Sequence, residues 1–211
     1  MTPVFCYFSP TPEIDSTDEW RLIQLWRSRW ALAGFEPHVL NEYHASRHSF
    51  YDHYKTKVSK LPSINPGDYD FSCYMRWLAV AFALGDFENI GIMSDYDVIP
   101  YGFTEKILDE RILIYGNNVP CLVQGIGRAF MDQCKTFADY KLREKDKCNG
   151  QVHISDMLIV EQQDEKAVKR LKTVKEYGEK GWERATAVHY ANARMVPAGL
   201  TPRHQFIPQL R

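Results

Sequence analysis

Two aspartates near the middle of the chain are the residues whose type and spacing most clearly permit chemistry. Asp95 and Asp97 flank a tyrosine directly after an apolar run that ends at Met93. In extended backbone, side chains at positions i and i+2 point to the same side, so the two carboxylates would share one face. Oxygen-rich sites of this kind suit Mg²⁺ or Mn²⁺, which usually bridge to phosphates. The alternative is a strand-ending turn, where aspartate is common because it bonds its own backbone. The triplet alone leaves both interpretations open.

The elements before this triplet predict a β-α-β unit. Residues 4–8 and 35–40 are short apolar runs bounded by turn residues, which predicts two strands. Apolar residues recur at helical spacing between them and predict a helix over 15–33, with Gly34 as its stop signal. A strand-helix-strand order indicates parallel pairing. The run 90–93 would then be a further buried strand, with the aspartates at its carboxyl end, where open α/β sheets bind ligands.

The rest of the chain extends this pattern. Helices are predicted at 71–82, 130–147 and 155–177, and strands at 112–115 and 121–123. The polar and aromatic stretch 41–70 predicts irregular structure or a short surface helix. No repeat or interdomain linker is evident, so we expect one domain over 1–211, with its sheet in the first two thirds.

Composition narrows the class of protein. The 211 residues carry a formal net charge of -1, so no overall field favours nucleic acid as a partner. Five cysteines form neither a disulfide scaffold nor a zinc spacing, which favours a reducing compartment. No apolar run approaches the roughly 20 residues of a transmembrane segment, and the amino terminus lacks signal-peptide features. The sequence therefore predicts a soluble, cytoplasmic protein.

Two further residues have roles that the sequence leaves open. Arg76 lies among apolar residues of the predicted helix 71–82, where it either buries only its stem, contacts a phosphate or holds an acidic residue. Asp156 follows Ser155 in a segment typical of a helix N-terminus. Both residues have a structural interpretation beside a functional one.

The order of these parts resembles the GT-A glycosyltransferases, which use nucleotide-sugars. The resemblance rests on the β-α-β start, the arginine-bearing helix with Met75-Arg76-Trp77-Leu78-Ala79, and the strand that ends in Asp-x-Asp. It implies an α/β fold with a single GT-A (Rossmann-like) domain, whose mostly parallel central sheet is flanked by helices. The small size is also similar to that of the compact transferase domain of chlorella-virus capsid-glycan enzymes. This similarity implies, as one origin of the chain, a virus whose enzyme acts in the host cytoplasm.

The resemblance also implies a metal site. In this family the Asp-x-Asp carboxylates hold a divalent ion, Mn²⁺ or Mg²⁺, on the diphosphate of the donor, and the later aspartate is the firmer ligand. Asp95 and Asp97 take these positions. The segment Val188-His189-Tyr190-Ala191-Asn192 is similar to the late apolar-His-aromatic segment of glycogenin-like transferases, which implies that His189 is the third metal ligand. The Gly and Lys-Pro-Trp that usually follow are missing, and Arg194 is the nearby residue for phosphate binding.

Further donor and catalytic roles follow from the same resemblance. The nucleotide-binding part would span about 1–100 and the acceptor-side part about 101–211. Asp156 would orient the sugar or act as general base, and Arg76 would support the charge of the diphosphate. The expected nucleotide-sugar contacts are, in chain order, Phe8, Ser9, Pro10, Arg76, Asp95, Tyr96 and Arg194.

The expected activity is metal-dependent transfer of a sugar, most simply from a UDP-sugar, to a hydroxyl of a glycan or glycoprotein acceptor. One alternative is a nucleotidyltransferase acting on a sugar phosphate. Such an enzyme would normally carry a glycine-rich, basic loop after the first strand. Residues 9–13 occupy that position here and contain neither glycine nor a basic residue. Another is a non-catalytic carbohydrate-binding module that uses the aromatic residues. The helical spacing of the tryptophans instead predicts that they pack in the core.

Overall fold

The chain begins with a strand, a helix and a second strand, as the sequence predicts. The computed structural model describes residues 1–10, 16–65, 67–85, 88–106, 110–143, 146–148 and 151–209. Within these residues the helices are α1 Ser16–Leu32, α2 Glu42–Ser46, α3 Tyr51–Val58, α4 Tyr69–Leu84, α5 Gly127–Ala138, α6 Asp156–Glu161, α7 Asn192–Met195 and α8 Arg203–Phe206. The strands are β1 Pro3–Tyr7, β2 Glu36–Leu40, β3 Ile90–Ser94, β4 Val98–Pro100, β5 Ile112–Gly116, β6 Val119–Ile126, β7 Lys147–Cys148, β8 Gln151–Val152, β9 Val168–Arg170, β10 Val174–Glu176 and β11 Ala187–His189.

A six-stranded sheet forms the centre of the molecule, in the order β2-β1-β3-β6-β5-β9. Among the described strands, β1 pairs in parallel with β2 and β3, and β5 pairs in parallel with β9. The pairings β3–β6 and β5–β6 are antiparallel. The prediction of a single α/β domain with a mostly parallel sheet between helices is therefore confirmed.

Strand β3 lies inside this sheet, between β1 and β6. Ile92 and Met93 are completely buried, as expected for apolar residues covered on both faces of the sheet. The backbone N–H of Asp95 donates to the carbonyl oxygen of Cys121 at 2.8 Å, so pairing with the β6 strand continues to the end of β3. This pairing fixes where the Asp95–Asp97 turn leaves the sheet.

A smaller sheet, in the order β10-β11-β4, meets the central sheet at this turn. Strand β4 starts directly after Asp97, and Val98 pairs with His189 at the end of β11. The N–H of Tyr190 donates to the carbonyl oxygen of Asp97 at 2.9 Å. His189 is thereby placed beside the aspartates by strand pairing, although it is distant in sequence.

The two faces of the central sheet are covered by different helices. Helix α1 packs on one face with Trp26 and Trp30, which are both fully buried. Helices α4 and α5 cover the other face, where Trp77 packs against Phe130 with ring centroids 5.8 Å apart. Trp26, Trp30 and Trp77 thus lie in the core, as their helical spacing predicts, whereas Trp20 at the start of α1 is exposed and the core prediction is wrong for it.

Several sequence-based boundaries are wrong in the second half of the chain. The predicted helix 155–177 is helical only as α6, and strands β9 and β10 follow it. The predicted helix 130–147 corresponds to α5, which begins at Gly127 and ends at Ala138; residues 144 and 145 lie outside the described residues. Strands continue to His189, so the sheets are not confined to the first two thirds.

The stretch 41–70 contains α2 and α3. Of the helices in the described part of the chain, none combines the length and apolar character needed to cross a bilayer.

Candidate active site

Asp95, Asp97 and His189 come together where β3 ends and β11 meets β4. One potential ligand atom from each residue lies within 4.8 Å of the others. His189 Nε2 is 3.3 Å from Asp97 Oδ1 and 3.9 Å from Asp95 Oδ2. The backbone from Asp95 to Val98 also forms a turn, because the N–H of Val98 donates to the carbonyl oxygen of Asp95 at 3.0 Å. The turn and the carboxylate cluster that the sequence left as alternatives therefore occur together.

Each aspartate has one oxygen bound to an arginine and the other near His189. Asp95 Oδ1 accepts a hydrogen bond from Arg76 Nη1, and Asp97 Oδ2 accepts one from Arg203 Nη1. The remaining oxygens, Asp95 Oδ2 and Asp97 Oδ1, are the ones close to the imidazole. The arrangement offers two carboxylate oxygens and one imidazole nitrogen to the same point.

Asp97 Oδ1 provides a test of whether a cation fits this cluster. Within the described residues this atom is buried and accepts no hydrogen bond of good geometry, and its charged neighbour is His189 Nε2 at 3.3 Å. A buried carboxylate oxygen that accepts no hydrogen bond is costly, and a bound cation would compensate it as a protonated His189 does. Two carboxylates and one imidazole are a donor set acceptable to Mn²⁺, so the residues present fit a divalent ion.

The electrostatics of the cluster distinguish the two carboxylates. Burial raises the pKa of Asp95 to about 6, against the opposing effect of Arg76. Burial also acts on the pKa of Asp97, but His189 and Arg203 outweigh it and hold that pKa below its usual value. Burial lowers the pKa of His189, yet Asp97 raises it well above the usual value. The imidazolium and the carboxylates therefore compensate one another.

Asp156 lies behind this cluster and holds Arg76. Its Oδ2 accepts hydrogen bonds from Arg76 Nη2 at 2.7 Å and from Trp77 Nε1 at 2.9 Å. The side chain of Asp156 is almost completely buried at the start of α6, where the Ser155 hydroxyl accepts from the N–H of Leu158 at 3.3 Å. These contacts make Asp156 a partner of Arg76. A direct role on a sugar or an acceptor stays a prediction.

The residues predicted to contact a nucleotide follow β1, which is parallel to β3 and next to it. Phe8 is buried, Ser9 is half-buried and Pro10 is exposed. The ring of Phe8 contacts that of Tyr96, with centroids 6.0 Å apart, and that of Trp20 at 5.3 Å. The segment 8–10 therefore lies beside the aspartate turn, and the accessible members are Ser9 and Pro10.

Arg194 lies at a different place from the arginines of the cluster. It is exposed on α7, and its Nε donates to Glu176 Oε2 at 2.8 Å. Its predicted phosphate contact is untested by this geometry. Arg203, which the sequence did not indicate, is the arginine that reaches Asp97, and Glu19 binds its other nitrogen. No local sequence pattern marks this pair, because Glu19 and Arg203 are 184 residues apart.

Comparisons with known proteins agree with the architecture. A family model described as a domain of unknown function (DUF8765) matches residues 1–114, which include both aspartates. No curated protein matches the chain by sequence. The crystal structure of a glycosyltransferase involved in the glycosylation of the major capsid of PBCV-1 is similar in fold, with a TM-score of 0.55 over 89% of this chain and 92% of that chain. The identity is 8%, so the similarity concerns the fold.

Proposed function

This chain belongs to the family described as a domain of unknown function, DUF8765, and we propose that it is a metal-dependent GT-A glycosyltransferase. The donor would be a nucleoside diphosphate sugar, UDP-linked in the simplest case, and the acceptor a hydroxyl of a glycan or glycoprotein. The fold similarity to a glycosyltransferase supports transfer of a sugar in general. The donor, the acceptor and the need for a metal are our inference from the site.

The observation that carries the proposal is the convergence of Asp95, Asp97 and His189 around Asp97 Oδ1, a buried oxygen that accepts no hydrogen bond among the described residues. These side chains lie at the carboxyl end of β3, where α/β sheets bind phosphate-containing ligands. Asp95 and Asp97 would hold the ion through one oxygen each and His189 through Nε2. The imidazole favours Mn²⁺ over Mg²⁺. When bound, the ion would neutralise the negative charge that develops on the leaving diphosphate.

The protein's own residues would orient this site and the donor. Arg76 holds Asp95 in place, and Asp156 holds Arg76, so three charged side chains keep a single arrangement. Backbone groups of Ser9 and Pro10 would bind the base or ribose beside Tyr96. Arg194, whose Nε donates to Glu176, would bind the diphosphate. Fixed charges of this kind lower the barrier because they need no reorganisation during the reaction.

We propose that the acceptor binds beyond Asp95, to residues that follow position 100 in the sequence. Asp156 is bound on Oδ2 by two donors, so its contacts support a role in positioning Arg76. A role as general base would require an acceptor hydroxyl to reach a carboxylate that is 2% exposed. We also propose a cytoplasmic site of action, because Cys6, Cys73 and Cys121 carry unbridged thiols.

A donor-hydrolysis screen tests the proposal. The purified chain is incubated with a panel of nucleotide-sugars in Mn²⁺ or in EDTA, and release of the nucleoside diphosphate is measured. We expect hydrolysis of at least one donor, its loss in EDTA, and a fall of at least about 100-fold in Asp97→Ala, because a cation ligand is removed.

The screen also separates the alternatives. Release of pyrophosphate from a nucleoside triphosphate with a sugar phosphate would indicate a nucleotidyltransferase. Binding of oligosaccharides that is unaffected by EDTA, with no donor hydrolysed or bound, would indicate a carbohydrate-binding module. Either result, or full activity in Asp97→Ala, contradicts the proposed transferase.

A further inference from the structure

We propose that Arg203 is a positioning residue of the cation site, which it orients by fixing which oxygen of Asp97 faces His189. This inference rests on the proposed function, because it assumes that Asp97 and His189 bind a cation. Arg203 comes from α8, near the carboxyl end of the chain, and is 106 residues away from Asp97 in sequence. Helix α8 would thereby determine the orientation of Asp97, a proposed cation ligand that follows a strand of the central sheet.

The guanidinium of Arg203 is held by three separate parts of the fold. Nη1 donates to Asp97 Oδ2 and also to the carbonyl oxygen of Tyr190 at 3.1 Å. Nη2 donates to both carboxylate oxygens of Glu19 on α1, at 3.0 and 3.1 Å. The guanidinium carbon lies 5.9 Å from the centroid of the Tyr96 ring. The side chain is 4% exposed, so it offers little surface to a substrate or to the solvent.

These contacts leave Arg203 a single orientation and transmit it to Asp97. With Oδ2 bound to the guanidinium, rotation of the Asp97 carboxylate would break a charge-assisted hydrogen bond, which is about twice as strong as a neutral one. Oδ1 is therefore kept toward His189 Nε2, where it has no hydrogen-bond partner among the described residues. Arg76 acts on Asp95 in the same way. In each carboxylate, one oxygen is thus bound to an arginine and the other is available to bind the cation.

Charge compensation alone is the competing explanation. Arg203 could simply neutralise Glu19 and Asp97, as a buried carboxylate requires a positive partner. The two explanations predict opposite changes in cation affinity when the charge of Arg203 is removed. A neighbouring positive charge repels a bound cation, so removing a mere counter-charge would strengthen cation binding. Removing a positioning residue weakens it, typically by about 10–100-fold for a partner that orients a metal ligand.

The test is the Mn²⁺ dissociation constant of the free protein, measured by electron paramagnetic resonance of unbound Mn²⁺. The variants are Arg203→Lys, which keeps the charge but loses the planar fork, and Arg203→Gln, which removes the charge. We expect both to bind Mn²⁺ about 10–100-fold more weakly than the wild type. Arg21→Lys is the matched control, because Arg21 is exposed on the same α1 helix as Glu19 and its ion pair with Asp18 spans 3.5 Å. It should bind Mn²⁺ as the wild type does.

A second variant covers the case in which Arg203 substitutions do not fold. Glu19→Asp keeps the negative charge and Arg203 but withdraws the carboxylate anchor on α1 by one methylene, and we expect about 10-fold weaker Mn²⁺ binding. Folding of every variant is checked by its thermal transition in EDTA. In folded variants, saturating Mn²⁺ should restore turnover, since a positioning role changes the metal requirement and not the chemistry at full occupancy.

The outcomes separate this inference from the proposed function. If the wild type itself binds no Mn²⁺, the proposed metal-dependent function fails. If the wild type binds Mn²⁺ and Asp97→Asn does not, while folded Arg203→Lys and Glu19→Asp bind as tightly as the wild type or more tightly, only the role of Arg203 is overturned. If the Arg203 variants are unfolded, unchanged affinity in Glu19→Asp overturns it.

Discussion

The two oxygens of Asp97 have different surroundings, and an isosteric substitution exploits this difference. In Asp97→Asn the amide must turn its oxygen to Arg203, because a guanidinium only donates hydrogen bonds. The NH₂ group then faces His189, where it cannot bind a cation. We expect Mn²⁺ affinity to fall by about 100-fold or more, and the free energy of unfolding by only about 1–3 kcal/mol. Mn²⁺ titration and urea unfolding measure the two quantities.

Asp132→Asn is the matched control for this change. Asp132 lies on α5, is 59% exposed, and pairs with Lys135 at 2.8 Å. It should alter neither Mn²⁺ affinity nor stability measurably, since exposed ion pairs contribute little. Wild-type affinity in Asp97→Asn would mean that Asp97 is not a ligand.

His189 contributes the nitrogen donor that distinguishes this cluster from a site of oxygens only. We expect His189→Gln to lower Mn²⁺ affinity by about 10-fold and Mg²⁺ affinity less, because imidazole suits transition metals while an amide oxygen suits Mg²⁺. Isothermal titration with each ion in turn gives the ratio. An equal loss for both ions would instead indicate general damage to the site, and would exclude a ligand role for the imidazole.

The sequence predicts the members of this cluster better than their partners. Asp95 and Asp97 are recognisable because they follow an apolar strand, and His189 because its segment resembles one in glycogenin-like transferases. Arg203 carries no such signal. Its function depends on contacts with Asp97 and Glu19, the latter 184 residues away, and a single sequence does not show which distant residues meet.

At the scale of elements, α1 holds both ends of the aspartate turn. Trp26 Nε1 donates to the hydroxyl of Ser94, just before the turn, at 3.1 Å. Trp30 Nε1 donates to the carbonyl oxygen of Val98, just after it, at 3.0 Å. Both indole rings are fully buried, so the same side chains fill the core and fix the backbone that carries the ligands.

Replacement of Trp30 by phenylalanine tests this link. Trp30→Phe leaves a small void and removes the buried donor to Val98, so we expect the free energy of unfolding to fall by about 2–4 kcal/mol. Mn²⁺ affinity should fall as well, because the turn loses a hydrogen bond that ties it to α1. Trp20→Phe is the control, since Trp20 is 44% exposed on the same helix and should cost less than about 1 kcal/mol. Equal costs for the two variants, measured by urea unfolding, would contradict the argument.

The accuracy of the sequence-based elements follows their apolar pattern. Helices α1 and α4 and strand β3 are predicted closely, because each has a long apolar stripe or a continuous apolar run. The predicted helix 155–177 fails after α6 because its later half is polar and lacks such a stripe. Strands β9 and β10 are three residues long, and β9 exists because β5 provides a neighbour for pairing. Short edge strands of this kind depend on tertiary context.

At the scale of the whole molecule, the site joins parts of the chain that are far apart. Asp95 and Asp97 lie within the residues matched by the family model, whereas His189 and Arg203 lie beyond residue 114. The central sheet supplies the aspartates, the small sheet supplies the histidine, and the last helix supplies the arginine. A bound cation would therefore connect the two sheets, so its binding should be visible in the stability of the entire fold.

Mn²⁺ should raise the melting temperature of the wild type, because an ion that binds only the folded state stabilises it by mass action. At a concentration about 100 times the dissociation constant this amounts to about 2.7 kcal/mol, which corresponds to a shift of about 5–10 °C for a chain of this size. Differential scanning fluorimetry in Mn²⁺ and in EDTA measures the shift, with NaCl added to equal ionic strength. Asp97→Asn should show no shift, since it lacks the ligand oxygen, while Asp132→Asn should shift as the wild type does. An identical shift in wild type and Asp97→Asn would place the stabilising ion elsewhere, and the three-residue cluster would then lose its assignment as the cation site.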